Sequence, residues 1–154
     1  MPRLDELHLS TNNLSDPGNI ALEVWNLKKS LWYFIIWPFQ HNTLRFLYLS
    51  CNPIHDFCSV SMNLVSNCTS LEFLSLSECP VDRLPEVSEL PYLPKQLRSL
   101  NVSTTKIDSW VEVEKLRKFP GLNELRIQGC PFLDEYTAHE KRMMLIARLP
   151  NVTV

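Results

Sequence analysis

LRFLYLSCNPI, residues Leu44 to Ile54, decides the fold, because nearly the same string, LEFLSLSECPV, returns at Leu71. Three further segments fit the pattern LxxLxLxx[NC]xL: LDELHLSTNNL from Leu4, LRSLNVSTTKI from Leu97 and LNELRIQGCPF from Leu122. The last four starts, at 44, 71, 97 and 122, are 27, 26 and 25 residues apart. The chain is therefore built from a recurring unit rather than from one isolated amphipathic strand.

This unit has the spacing of a leucine-rich repeat, whose period is about 20 to 29 residues. Positions one, four and six face the inside of a short strand, and position eleven closes the following turn. No unit can bury that face alone, so neighbours stack, and Asn or Cys at position nine bonds to backbone in the turn. The sequence predicts an α/β fold: a leucine-rich repeat solenoid with a curved parallel sheet, convex helices and about five repeats within residues 1–133.

The segments between the repeats are expected to form the convex helices. In VEVEKLRKFPGL, residues 111–122, Val111, Leu116 and Phe119 recur at the spacing of one helix face, and Pro120 ends the run. Trp110 opens this segment, where bulky residues anchor packing, so we expect it in the core rather than at a contact surface.

Residues 134–154 differ from the repeats and are assigned to a C-terminal cap, truncated at its end. Thr137 and, three residues later, Glu140 predict a capping box that begins a helix. The apolar stripe expected to face the last repeat consists of Met143, Ile146 and Ala147. Such a helix would cover the open apolar face at the end of a solenoid.

The first interval, from Leu4 to Leu44, is 40 residues long and holds an atypical apolar insertion at about residues 25–40. Its run from Leu31 to Phe39 is shorter than the roughly 20 apolar residues of a membrane helix, so no membrane association is expected. The insertion is either a buried elaboration of one repeat or a segment that packs poorly. The strand at Leu4 would have an open edge, so we expect the array to be part of a longer one.

The composition argues against several classes of function. Fifteen Lys and Arg against 17 Asp and Glu give a net charge of −2, so no nucleic-acid partner is expected. The three glycines fit neither GxGxxG nor GxxxxGK[ST], which argues against a nucleotide enzyme. Five cysteines without a CxxC pair predict small buried thiols in a reducing compartment, no metal site and no cofactor.

The N-terminal MPRLDELHLS lacks an apolar signal segment, so we expect a cytoplasmic location. Four N-x-[ST] triplets would matter only in a secreted protein; they begin at Asn13, Asn67, Asn101 and Asn151.

No catalytic constellation is found, and no enzymatic activity is expected. The histidines fall in different repeats; they are His8, His41, His55 and His139. Asp134 and Glu135 are adjacent, which points their carboxylates apart and excludes an acid and base pair.

The concave surface is the expected binding site, since positions three, five and seven of each strand face it. The candidate partner-binding residues are Glu6, His8, Phe46, Tyr48, Phe73, Asn101, Glu124 and Arg126. Serines of these positions, including Ser75 and Ser99, are expected on the same surface. Phe46, Tyr48 and Phe73 should be adjacent on neighbouring strands, and aromatic clusters are typical of protein interfaces. The alternative is that the upstream insertion or a loop covers these rings.

The C-terminal part, LNELRIQGCPFLDEYTAHEKRMMLIARLPNV, resembles the end of the leucine-rich repeat domain of the tubulin-folding cofactor E family. The family pattern has a Pro-containing turn, then Thr-x-Glu-(Arg/Lys)-Arg and Ile-Ala-Arg-Leu-Pro. The matching positions are Thr137, Glu140, Lys141, Arg142, Ile146, Ala147, Arg148, Leu149 and Pro150, with either one extra residue, His139, or a shift at Ala138. The resemblance covers roughly residues 44–152 and, more weakly, 4–14.

The resemblance implies a cytoplasmic, cytoskeleton-associated protein without enzymatic activity. Its implied partner is α-tubulin or the tubulin dimer, and its implied role is tubulin dimer disassembly or turnover and microtubule regulation. Family members also have repeats upstream and a ubiquitin-like domain downstream, which are not in this chain. The insertion at residues 25–40 also departs from the family pattern.

Two other functions fit the repeats themselves. One is an intracellular scaffold or regulatory subunit of the phosphatase, axonemal or spliceosomal type. The other is a fragment of a secreted repeat receptor, which the Asn triplets favour but which would need disulfide-rich caps that the sequence lacks.

Overall fold

The computed structural model describes residues 5–14, 43–55, 57, 68–89 and 95–153. Within these residues, five short strands form one parallel sheet in chain order. The strands are β1 (Glu6–His8), β2 (Phe46–Tyr48), β3 (Phe73–Ser75), β4 (Ser99–Asn101) and β5 (Glu124–Arg126). Each strand occupies positions three to five of a predicted unit, and equal positions pair across the sheet. The predicted α/β class and parallel sheet are confirmed, and the arrangement is consistent with a solenoid.

The core lies on the side of the sheet that the repeat pattern predicts. At position four, Leu47, Leu74 and Leu100 are fully buried, and each is paired in register with the next. Positions one and six are also buried; they comprise Leu44, Leu71, Leu97, Leu122, Leu9, Leu49, Leu76, Val102 and Ile127. Each fully buried leucine contributes about 1.5 to 3 kcal/mol of transfer free energy, so the stacked leucines supply the main driving force.

Backbone pairing continues beyond the strands into the following turns. The N–H of Leu49 donates to the carbonyl of Ser75 (2.9 Å), and the N–H of Cys51 donates to that of Ser77 (2.9 Å). The residue at position eight adopts a left-handed conformation in every described unit. These residues are Thr11, Cys51, Glu78, Thr104 and Gly129, with φ between 57° and 69°. The turn therefore has the same conformation in each described unit. Four of the five units adopt it with a residue other than glycine, although glycine is usually preferred at positive φ.

Position nine bonds to the backbone, as predicted. The Asn52 amide donates to the carbonyls of Leu9 (2.9 Å) and Leu49 (2.7 Å). In later units, the Cys79 thiol lies 3.2 Å from the Leu49 carbonyl, and the Thr105 hydroxyl donates to Val102 (2.8 Å). These side chains satisfy carbonyls that the parallel ladder leaves without a partner.

The opposite layer holds short helical segments in the described residues. They are a 3₁₀ turn at Val87–Glu89, α1 (Trp110–Glu114) continued as 3₁₀ at Lys115–Lys118, a 3₁₀ turn at Pro131–Leu133, and α2 (Ala138–Arg148). The predicted buried face of the segment at 111–122 is partly wrong. Leu116 and Phe119 are buried, but Val113 takes the third place and Val111 is 67% exposed. The helix begins at Trp110, whose packing sets the rotation of the first turn.

Helix α2 starts at the predicted capping box, but the predicted inner face is wrong. Met143 is 53% exposed, Ile146 is 44% exposed and Ala147 is also exposed, whereas Leu145 is buried. The Arg148 guanidinium lies 4.6 Å from the Trp110 ring centroid and so belongs to the inner side of the helix. The contact of Arg148 with Trp110 places Leu145 against the core and leaves Met143 and Ile146 on the outer side of α2.

After α2 the chain returns to the sheet. The N–H of Thr153 donates to the Asn123 carbonyl (2.7 Å), and the N–H of Leu125 donates to the Thr153 carbonyl (3.1 Å). Thr153 thereby forms an isolated parallel β-bridge with Glu124, on the edge of β5 that does not pair with β4. No helix among the described residues is long and apolar enough to cross a membrane. The insertion predicted at residues 25–40, the first repeat position Leu4 and His41 lie outside the described residues.

Candidate binding surface on the sheet

The solvent face of the sheet carries four rings on three adjacent strands. Phe46 pairs in register with Phe73, and His8 pairs with Tyr48. The His8 and Tyr48 rings stack at 4.2 Å with an interplanar angle of 5°. Phe73 lies 5.0 Å from Tyr48 and 6.5 Å from Phe46, between ring centroids. We call these four residues the aromatic patch; the predicted adjacency of Phe46, Tyr48 and Phe73 is confirmed.

A row of alternating charges at position two borders this patch, and we call it the charge rim: Asp5, Arg45, Glu72 and Arg98. The Arg45 guanidinium donates to both Glu72 oxygens, at 2.9 and 3.0 Å, and lies 3.9 Å from the Asp5 carboxylate. The hydrogen bond from Arg45 lowers the pKa of Glu72, and the charge of Arg98 adds to this effect. Arg45 also lies 5.2 Å from the Phe46 ring centroid, so the rim and the patch are in contact.

Sequence reasoning missed the charge rim because it considered only positions three, five and seven. The signal was present in the sequence: position two alternates acidic and basic across four successive units, from Asp5 to Arg98. Within a single unit such a charge resembles an ordinary solvated residue. Only stacking of the units brings opposite charges together.

Glu6 lies at the border of the aromatic patch, on β1 with His8. The Glu6 carboxylate lies 2.8 Å from Nε2 of His8, and both side chains are substantially exposed. Loss of water contact raises the pKa of Tyr48, and the nearby Glu6 carboxylate raises it further. Glu6 is thus connected to the aromatic patch through His8, whose ring stacks on Tyr48.

The other end of the face is polar. Arg126 pairs with Glu124 at 2.9 Å, and this hydrogen bond lowers the pKa of Glu124. Asn101 accepts the N–H of Ser103 through its side chain (3.1 Å). Asn101 lies on β4, next to the strand that carries Phe73, and Glu124 and Arg126 lie on β5, one strand further along the sheet.

Two serines expected on the binding surface are buried instead. Ser75 is 3% exposed and Ser99 is 7% exposed. The Ser75 hydroxyl shares a hydrogen bond with Ser50 (2.8 Å). Their short side chains lie below the larger neighbouring side chains, so they offer little area for contact with a partner.

Trp110 was predicted to lie in the core; it is half-buried and packs against the core. It makes edge contacts with Phe132 (5.0 Å) and Tyr136 (5.9 Å), and Arg148 covers its ring. Nε of Arg148 lies 3.2 Å from the Glu114 carboxylate. The arginine of the Ile-Ala-Arg-Leu-Pro block thus holds α2 onto α1.

The titratable groups of the described residues show no arrangement suited to catalysis. His8, His55 and His139 are exposed in separate units. Cys51 is exposed, contrary to the expected burial of the thiols, whereas burial raises the pKa of Cys68 to about 11. In the part of the chain that the structure describes, no three His, Cys, Asp or Glu side chains cluster as a metal site.

No family model matches the chain. The human tubulin-specific chaperone cofactor E-like protein is 33% identical over 113 residues, 73% of this chain and 26% of that protein. Its counterpart in Rattus norvegicus is 32% identical over the same lengths, and that in Caenorhabditis elegans is 25% identical over 154 residues, 32% of its length. The chain spans about a quarter to a third of the length of these curated relatives. The resemblance to the cofactor E family is confirmed for this part.

Proposed function

We propose that this chain, a relative of part of the cofactor E-like tubulin chaperones, is a non-enzymatic tubulin-binding module. The aromatic patch is the observation that carries the proposal. Phe46, Tyr48 and Phe73 are half-exposed on adjacent strands, and charge pairs border them. Exposed aromatic clusters with a polar rim are typical of protein interfaces, where a few large side chains supply most of the binding free energy. The names of the relatives support tubulin as the partner.

The partner is α-tubulin or the tubulin dimer, and the role is dimer disassembly or turnover and microtubule regulation. Binding alone can perform this work. A module that binds one subunit more tightly than the assembled dimer shifts the equilibrium toward separated subunits by mass action. We place this activity in the cytoplasm, in association with the cytoskeleton.

A second function is an intracellular scaffold or regulatory subunit, and one observation favours it. Residues of the C-terminal pattern that resembles the cofactor E family make contacts that stabilise the fold itself: Thr137 caps α2, and Arg148 packs on Trp110. A pattern that stabilises the last helix can recur in repeat proteins with unrelated partners.

Co-elution of the 154-residue chain with αβ-tubulin in size exclusion tests the first function. Circular dichroism establishes beforehand that the chain is folded. A shift of both proteins to an earlier shared peak is the expected result. A folded chain that elutes apart from tubulin at micromolar concentrations would instead favour the scaffold.

A further inference from the structure

A cleft of about 190 Å³ lies where the end of α2 meets the 3₁₀ segment that follows α1. Its lining includes Leu116, Phe119 and Leu149, which are buried in the core. Pro120 and Pro150 also line the cleft, and both are exposed. The cleft therefore belongs to the helical layer, whereas the aromatic patch lies on the sheet.

The volume of the cleft limits what it can hold. A cavity of about 150 Å³ accommodates a benzene ring, whereas drug-sized ligands occupy pockets of about 300 to 1,000 Å³. At about 190 Å³, the cleft has room for one bulky apolar side chain, but it is too small for a nucleotide or a large cofactor.

Arg117 is the charged residue among those that line the cleft. On the same 3₁₀ segment, Lys115 pairs with Glu112 at 2.6 Å and Lys118 pairs with Glu86 at 3.4 Å. Arg117 is exposed and makes no ion pair with any residue that the structure describes. A carboxylate next to an apolar group in the cleft would therefore gain an ion pair without breaking an existing one.

An exposed apolar stripe of α2 leads to the cleft. Met143 is 53% exposed, Ile146 is 44% exposed, and Ala147 is also exposed. Pro150, four residues after Ile146 and just past the end of the helix, lines the cleft. An occupant of the cleft can thus continue along the stripe, which favours a protein segment over a small molecule.

A second copy of the chain does not suit this surface. The residues of the stripe and those that line the cleft include Arg117 but no carboxylate. A two-fold contact of the surface with itself would bring two guanidinium groups into one interface without a counter-ion. Taking unpaired charges out of water is unfavourable, so the partner should supply the negative charge.

We propose that the cleft and the stripe bind an acidic segment of a partner protein. One Phe or Leu side chain of this segment fills the cleft, an adjacent carboxylate pairs with Arg117, and further apolar side chains lie along α2 beside Ile146 and Met143. A buried apolar anchor bordered by charge is a common arrangement at protein interfaces. This surface goes beyond the function proposed for the sheet face and does not depend on it.

Phenylacetate and phenylacetamide test the cleft, because they carry the same ring and only phenylacetate is charged. Titrated into the 154-residue chain, both should give saturable NMR shifts of the Leu116, Leu122 and Leu149 methyl resonances. Dissociation constants should be on the order of millimolar, as for other small fragments. Phenylacetate should bind roughly threefold more tightly, which is the scale of one exposed ion pair. Equal affinities, or no shifts at these methyl groups, would overturn the proposal.

Two neighbouring substitutions locate the charge effect. Arg117→Gln should abolish the preference for phenylacetate. Lys118→Gln removes a cation that already pairs with Glu86 and should leave the preference unchanged. Both side chains are exposed, so the fold should tolerate either change. A preference that persists in Arg117→Gln would contradict the assigned role of this residue.

A pair of peptides tests the stripe. Acetyl-Leu-Leu-Asp-Phe-amide should bind the wild-type chain roughly threefold more tightly than acetyl-Ser-Ser-Asp-Phe-amide, because its leucines bury apolar area against α2. Ile146→Ser should remove this difference. Val111→Ser, at a 67% exposed position outside the cleft and the stripe, should preserve it. An undiminished difference in Ile146→Ser would mean that the occupant does not follow α2, contrary to the proposal.

The oligomeric state tests the competing occupant. The wild-type chain should elute as a monomer in size exclusion at the concentrations of the titrations. Self-association that Ile146→Ser abolishes would assign the surface to a second copy and overturn the proposal. None of these readouts involves tubulin, so a chain that ignores tubulin but discriminates between the fragments loses only the function proposed for the sheet face.

Discussion

Asn52 shows at the scale of one residue how two units are joined. Its side-chain oxygen accepts the backbone N–H of Asn12 (3.1 Å) and Leu14 (3.0 Å) in the preceding unit. Its amide nitrogen donates to Leu9 and to Leu49, one carbonyl from each unit. A 2% exposed side chain thus satisfies four backbone groups that have no ladder partner.

Asn52→Ala should therefore lower the free energy of unfolding by about 3 kcal/mol, because it leaves buried backbone groups without partners. Asn12→Ala is the matched control, since Asn12 is exposed and its side chain makes one bond to Ser10. That control should change stability by less than about 0.5 kcal/mol. Equal losses in the two variants, measured by urea unfolding, would contradict this account of Asn52.

The space available for an added methyl group differs between Gly121 and Gly129. A Cβ at Gly121 would collide with the backbone carbonyl of Lys95 and lie 2.9 Å from that of Leu97. At Gly129, which has a φ of 69°, it would meet the movable Thr104 side chain at 3.1 Å.

Gly121→Ala should be the more damaging of the two substitutions. Gly129→Ala should cost about 1 kcal/mol, because four other units already hold a non-glycine residue in that conformation. Gly121→Ala requires a backbone shift, so its loss should exceed about 2 kcal/mol. Thermal unfolding of both variants measures the order, and a reversed order would disprove the close backbone approach.

At the scale of elements, α2 depends on its N-terminal capping box. Thr137 donates its N–H to Glu140 (2.8 Å), and the Glu140 N–H donates to the Thr137 hydroxyl (3.3 Å). Thr137→Ala should lower stability by about 1 kcal/mol, whereas Thr137→Ser keeps the hydroxyl and should be close to neutral. A Ser variant as unstable as the Ala variant in urea unfolding would exclude the capping bonds as the cause.

The same cap should be sensitive to acid. The hydrogen bond from the Thr137 backbone lowers the pKa of Glu140, so folding favours the charged carboxylate. Its contribution is complete above the unfolded pKa of about 4.3 and is lost as the pH falls through the folded value. The stability difference between wild type and Glu140→Gln should therefore shrink between about pH 6 and pH 3. A difference that stays constant over this range would show that the charge of Glu140 plays no part.

Helix α2 also shows that the hydrophobic pattern of a sequence does not by itself identify the buried face of a helix. Helix α2 has two apolar stripes, one with Met143 and Ile146 and the other with Leu145. Periodicity alone cannot choose between them, and the first was predicted to be buried. The contact of Arg148 with Trp110 places the Leu145 stripe against the core, and this contact joins segments more than 30 residues apart in the sequence.

At the scale of the whole molecule, the repeat spacing contained most of the information about the sheet. Leu47, Leu74 and Leu100 could be placed in register because each occupies position four of its unit. Phe46 and Phe73 follow from the same register, one position earlier. The same register also places Arg45 beside Glu72, but this pair was missed because only positions three, five and seven were expected on the binding surface.

The affinity of the chain for αβ-tubulin, with and without the aromatic patch, tests the central claim most directly. Phe46→Ala with Phe73→Ala removes two half-exposed rings, and Val111→Ala, a 67% exposed residue outside the sheet, is the control. At about 1 kcal/mol for each aromatic side chain, the double variant should bind roughly thirtyfold more weakly. The control should match wild type. A folded double variant that binds tubulin as tightly as wild type would contradict the claim that this face is the binding site.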